Sequence, residues 1–199
     1  MEINKKYLLP LANYNEVENI KKQIIIGNTF NYDMKHIISW VNRFNGKYKK
    51  TAAFTIDAAG IVYKHFEPSH QSEYFNDLDL NNKSIVILLE NEGWLNNNQE
   101  NNQFISSLGH IYNEDEVFHK KWREHSHWSP YSKEQIDSAI MLIKGLCKEF
   151  FIPLTVMTHN TKIDDLEDYK GVLYKSNLEK HYTDVSPAFN FEYFINNIT

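Results

Sequence analysis

Residues 170–194 read KGVLYKSNLEKHYTDVSPAFNFEYF. A short apolar segment (Gly171, Val172, Leu173, Tyr174) passes through a polar turn into Thr183-Asp184-Val185-Ser186-Pro187-Ala188-Phe189. An acidic residue set directly before an apolar, proline-bearing run is a carboxylate at the edge of a core. Whether the side chains around it can use that carboxylate decides what the chain does.

Working outward, the remaining elements alternate between two periods. Gln23-Ile24-Ile25-Ile26, ended by Gly27-Asn28, is a β-branched run that predicts a buried central strand. From Asp33 to Phe44, apolar residues at Met34, Ile37, Ile38, Val41 and Phe44 predict a helix, with Asp33 as N-cap and Asn45-Gly46 as its stop. Thr51–Asp57 and Ile61–Phe66, joined by Ala58-Ala59-Gly60, read as a hairpin. Ser84–Leu89 is a further apolar strand, and the Asn- and Gln-rich residues Asn91–Asn102 read as a loop. Phe104–Phe118 has no clean period. Ser132–Phe150 predicts the longest helix: Ile136, Ala139, Ile140, Ile143, Cys147 and Phe150 share one face, and Ser132 and Gln135 have capping-box spacing. Leu154–Thr158 after Pro153 is a predicted strand, and Phe191–Ile198 a closing helix. This order predicts an α/β fold in one domain, a mixed central sheet flanked by helices, with residues 1–22 as a lead and 23–199 as the domain.

Composition narrows the function. At 42% hydrophobic and 24% charged the chain is globular rather than disordered. A net charge of −5 argues against a nucleic-acid partner held by phosphate neutralisation. No apolar run approaches the length of a membrane span, and the polar start with Lys5-Lys6 lacks the apolar core of a secretory signal, so synthesis in the cytoplasm is expected. The single cysteine, Cys147, falls on the apolar helix face and is expected to be a core residue. The Asn-, Lys- and Ile-heavy usage fits a phage or AT-rich bacterial source.

Several of these stretches together resemble the zinc-dependent N-acetylmuramoyl-L-alanine amidase family, whose fold is shared with peptidoglycan recognition proteins. Gln23–Thr29 looks like the first family strand, Ala53–Tyr63 like its hairpin, Ser84–Gly93 like the following strand and Tyr131–Ile152 like its long helix. Asp184-Val185-Ser186-Pro187-Ala188-Phe189 looks like its terminal motif. The resemblance implies three zinc ligands, a carboxylate base and a lysine. Carried over, the ligand positions fall on Gly27, Lys175 and Asp184, the base on Leu88 (with Glu90 two residues on) and the lysine on Tyr182.

Zinc that activates water needs three protein donors and an open position, and of these residues only Asp184 is a donor. The expectation is therefore a family member with no zinc and no catalytic residues. Its groove would be formed by Asn28, Phe54, Leu88, Tyr174, Lys175, Tyr182 and Asp184, and would take a peptidoglycan fragment or a protein partner. A carboxylate left without its dication needs a partner, so Lys175 and Asp184 are expected to pair. Two alternatives stand beside this one: an active amidase with zinc rebuilt on Asp184 and His159, and a phage virion or assembly component. His125 and His127, the acidic run Asp164, Asp165, Glu167 and Asp168, and the aromatics Tyr112, Trp122, Trp128 and Tyr131 are weaker candidates for a metal, a cation and a ligand groove.

Overall fold

The computed structural model describes residues 2–98, 103–166 and 168–199. In chain order the elements are β1 (Ile3–Asn4), β2 (Gln23–Asn28), α1 (Lys35–Asn42), β3 (Phe54–Ile56), β4 (Val62–Lys64), α2 (Leu78–Lys83) and β5 (Ser84–Leu89). Then follow β6 (Leu95–Asn98), β7 (Gln103–Ser106), β8 (Ile111–Tyr112), β9 (Phe118–Trp122), β10 (His125–Trp128), α3 (Lys133–Glu149), β11 (Gly171–Tyr174), α4 (Lys175–Leu178) and α5 (Phe191–Ile198).

The main sheet has the order β1-β4-β3-β5-β2-β11. Only β3–β4 is antiparallel; the other pairs are parallel. The expected mixed α/β sheet is therefore present. β2 and β5, buried along their whole length, lie side by side inside it, which is why their sequences are continuous apolar runs rather than alternating ones. α1 covers one face, its His36 reaching Thr55, and α3 covers the other, where Leu142 and Leu146 meet Phe54. Residues before Gln23 belong to the same body: β1 adds to the sheet edge at β4, and Leu9 is in the core. Cys147 is buried on α3, as its position on the apolar face predicts.

Several sequence expectations change. The first helix starts at Lys35, because Asp33 and Met34 adopt left-handed backbone (φ 52° and 53°) and Asp33 caps nothing. The Met34 N–H instead donates to Glu90 Oε1 at 2.6 Å. The helix also ends early: Phe44 is left-handed and 75% exposed, so the apolar stripe exceeds the face that packs. Within Asn91–Asn102, Leu95–Asn98 forms β6 against β7, and residues 99–102 lie outside the described residues. The unperiodic region after Phe104 contains short strands that pair locally, too short for a pattern to show. Leu154–Thr158 makes only one bridge, Val156 to Val172, alongside the edge strand β11; Leu154 is partly exposed there, so no core face holds a longer strand.

Ser132 caps α3 by accepting from the Gln135 N–H (3.0 Å), but the Gln135 side chain does not close the box. Its Nε2 donates to the carbonyls of Ile56 and Glu90, both at 2.9 Å, tying α3 to the ends of β3 and β5. Gln135→Leu strands the Glu90 carbonyl, while the Ile56 carbonyl keeps the Glu90 N–H at 2.8 Å, and is expected to lower unfolding free energy by about 1–3 kcal/mol in urea titration; unchanged stability would show that those bonds are dispensable.

Candidate functional site

The site is where β2, β5 and β11 end. Gly27 pairs with Leu88 across β2 and β5, and Ile26 pairs with Tyr174, so Lys175 follows one position later beside Gly27. A Cβ built on Gly27 would lie 2.8 Å from Asp184 Oδ2, 3.2 Å from Leu88 Cδ2 and 3.5 Å from Lys175 Cδ. The positions assigned by resemblance to the metal ligands thus converge in space. Glycine at 27 is what gives Asp184 its room.

Asp184 is 1% exposed, and its Oδ2 accepts from the Asn28 N–H at 3.0 Å. Lys175 Nζ stands 3.4 Å from the same oxygen, with the lysine side chain 15% exposed. The rings of Tyr182 (4.5 Å) and Tyr74 (5.1 Å) flank the ammonium, a cation–π arrangement. Burial by itself pulls Lys175 down, but Tyr74 and Asp184 outweigh it and hold the ammonium above the usual lysine range. Burial pushes the Tyr74 phenol up to about 12. Asp184 Oδ1 is buried and has no hydrogen-bond partner among the described residues.

This donor set does not fit zinc. Gly27 offers no side chain, and the Lys175 ammonium sits against the one carboxylate, so a dication at Asp184 would meet a fixed positive charge. Among the described residues no group of three His, Cys, Asp or Glu side chains could share a metal ion. His159 is exposed in its loop, with Nδ1 bonded to the Thr161 hydroxyl at 2.6 Å.

Of the predicted groove, Leu88, Lys175, Tyr182 and Asp184 meet at this point, with Asn28 beside them. Asn28 Oδ1 accepts from the Tyr131 hydroxyl at 2.8 Å. Phe54 and Tyr174 do not join them: strand alternation turns each to the opposite face of the sheet, Phe54 toward Leu142 and Leu146, Tyr174 toward Phe191 and Phe194. Glu90 lies apart, in a separate cleft with Asp57 and Tyr63.

The cleft beside Lys175 has a volume of about 370 Å³ and includes Asn28, Phe30, His36, Trp40, Tyr74 and Leu88. Sequence reading missed Tyr74 and Trp40; Tyr74 lies outside any periodic element, and Trp40 falls outside the apolar stripe read for the first helix. Beneath the cleft, His36 and His65 both contact the Thr55 hydroxyl through Nε2, at 3.1 and 2.9 Å. His65 Nδ1 lies 2.8 Å from the Tyr7 carbonyl and must donate to it, so Thr55 donates to His65 and accepts from His36. Burial lowers the two imidazoles to about 3 and about 4, leaving both neutral.

The remaining candidates disperse. His125 stacks on Trp94, whereas His127 meets Phe104 and His119 across a bulge, so they do not share a site. Trp128 is core, and Tyr112 donates to Glu92. Asp164 pairs with Lys162, and Glu167 lies outside the described residues.

Removing the ammonium leaves a buried carboxylate unpaired, so Lys175→Met is expected to lower stability by about 3–5 kcal/mol, and adding Asp184→Asn to recover part of it. Because the folded value of Lys175 is raised, its contribution is complete below the ordinary lysine range and is lost only as pH rises through that raised value. The difference between wild type and Lys175→Met should therefore be flat across neutral pH in chemical denaturation. A difference under about 1 kcal/mol would mean the pair is not needed.

The fold has solved relatives. N-acetylmuramoyl-L-alanine amidase LysC from Clostridium intestinale aligns over 98% of this chain and 96% of its own, with 13% identity and a TM-score of 0.53. The endolysin amidase LysCS from the same organism aligns over 98% and 93%, at 13% identity and 0.53. AmiD from E. coli, solved with the substrate anhydro-N-acetylmuramic acid-L-Ala-D-γ-Glu-L-Lys, aligns over 92% of this chain and 59% of its own, at 14% identity and 0.58. At these identities the likeness is one of fold. No curated protein sequence matches significantly. The family model for N-acetylmuramoyl-L-alanine amidase matches residues 18–170, well over half of the chain. With β2, the β3–β4 hairpin, β5 and α3 all inside that span, the chain belongs to the N-acetylmuramoyl-L-alanine amidase family.

Proposed function

We propose that this protein is a non-hydrolysing member of its family that binds a peptidoglycan fragment in the cleft beside Lys175. The observation that carries this reading is the Lys175–Asp184 contact of 3.4 Å at the point where the ligand positions converge. Hydrolysis in the family's manner needs a metal-activated water and a carboxylate base. Gly27, Lys175 and Leu88 supply neither. No step of catalysis is therefore assigned to these residues.

The cleft keeps features suited to a mixed sugar and peptide ligand. Trp40 and Tyr74 offer aromatic faces, Asn28 and Asn31 offer amide groups, and Leu88 gives an apolar floor. Asn28 Nδ2, at the edge of the cleft, is buried and has no partner among the described residues. The Lys175 ammonium, fixed by Asp184, would be a second donor from the same side.

Calorimetric titration with a soluble muropeptide is expected to show saturable binding that Leu88→Arg weakens by at least about tenfold, while chromatography shows no release of peptide from peptidoglycan. Peptide release that Asp184→Ala abolishes would replace this reading with a working amidase. Absence of any muropeptide binding would favour an assembly component or a protein partner.

A further inference from the structure

A second cavity, of about 260 Å³, lies on the other side of the Asp184 segment, and no part of the cleft reading uses it. Its walls are Arg123, Glu124 and His125 from the turn between β9 and β10, and Lys180, His181 and Thr183 from the segment leading into Asp184. Four of these six residues can carry positive charge, on a chain whose net charge is −5.

Three of the four, Arg123, His125 and His181, are held by neighbouring groups. Arg123 donates to the carbonyls of Glu179 (3.2 Å) and Ser176 (3.1 Å), which clamps the turn onto the 176–183 segment and closes the pocket. Its guanidinium lies over the Trp122 ring at 4.3 Å. The His125 ring stacks on Trp94 at 4.6 Å with an interplanar angle of 4°, and His181 packs on Tyr182 at 4.4 Å. Among the described residues none of Arg123, Lys180, His125 and His181 has a carboxylate within ion-pair distance, although Glu124 shares the pocket. The acids that feel these cations are Asp184, already paired with Lys175, Asp164, already paired with Lys162, and Glu124, which faces His125 within the pocket.

A pocket in which Arg123, Lys180 and two imidazoles outnumber a single carboxylate, Glu124, suits an anion. Donors converge from two separate segments, and Thr183 adds a hydroxyl. That number of directions suits a tetrahedral oxyanion better than a planar carboxylate. We propose that this pocket is a phosphate-binding site, taking a phosphate monoester or the phosphodiester of an anionic polymer.

The site stands independently of muropeptide binding, so the probe is inorganic phosphate, with glycerol phosphate and acetate as the comparison arms. In an amide NMR titration of the whole chain, phosphate should give saturable shifts confined to residues 122–125 and 179–184. Lys180 and His181 are exposed and do not hold the fold; Lys180→Gln should weaken phosphate binding at least about fivefold, and His181→Gln more modestly. Lys144→Gln, on α3 far from the pocket, should change nothing. Glycerol phosphate binding at least as tightly as phosphate would identify an esterified ligand, and weaker binding a free ion; either supports the site. Shifts that do not saturate, an affinity unmoved by Lys180→Gln, or acetate binding as tightly as phosphate would overturn it.

Discussion

The contact between the Lys175 ammonium and the Asp184 carboxylate governs how the ends of three strands and the C-terminal segment fit together. Asp184 reaches its place because Gly27 has no side chain; any Cβ there would collide with Oδ2. Once there, the carboxylate accepts from the Asn28 N–H, and the Asp184 backbone carbonyl accepts from the Ser176 N–H at 2.6 Å. The segment is thereby sewn to both β2 and α4. Behind it, Phe189 packs among Tyr131, Tyr174 and Phe194, so the motif that ends the domain is also a piece of core.

A buried ion pair adds little net stability compared with a well-packed apolar core, yet deleting one partner costs heavily. That asymmetry explains why the buried Asp184 carboxylate keeps a cation beside it. A lysine ammonium supplies a single charge on a long, adaptable stem, and here two tyrosine rings fix its position. What it does not supply is an open coordination position or an acidified water. The pair neutralises the buried carboxylate at the edge of the cleft.

Much of this was legible in the sequence, for identifiable reasons. β2 and β5 are buried on both faces, so their apolar runs had only one reading, and α3 had enough turns for its stripe to be unmistakable. Gly27, Lys175 and Asp184 were picked out because motif spacing survives even where the side chains have changed. Phe54 and Tyr174 were misplaced because a strand's face alternates with every residue, and motif spacing does not say which way a given side chain points. Asp33 looked like a cap by type, but its backbone turns left-handed and Glu90, distant in sequence, takes the Met34 N–H instead. Tyr74 and the Arg123 pocket come from loops, where only tertiary structure brings residues together.

With Lys175 beside it, the decisive property of Asp184 is whether it can still take part in holding a dication. Zinc titration of the purified protein, followed by elemental analysis after gel filtration, addresses that directly. The prediction is no retained equivalent of zinc attributable to this site, with wild type and Asp184→Asn indistinguishable. One retained equivalent in the wild type that disappears in Asp184→Asn would contradict the view that Lys175 has taken the metal's place.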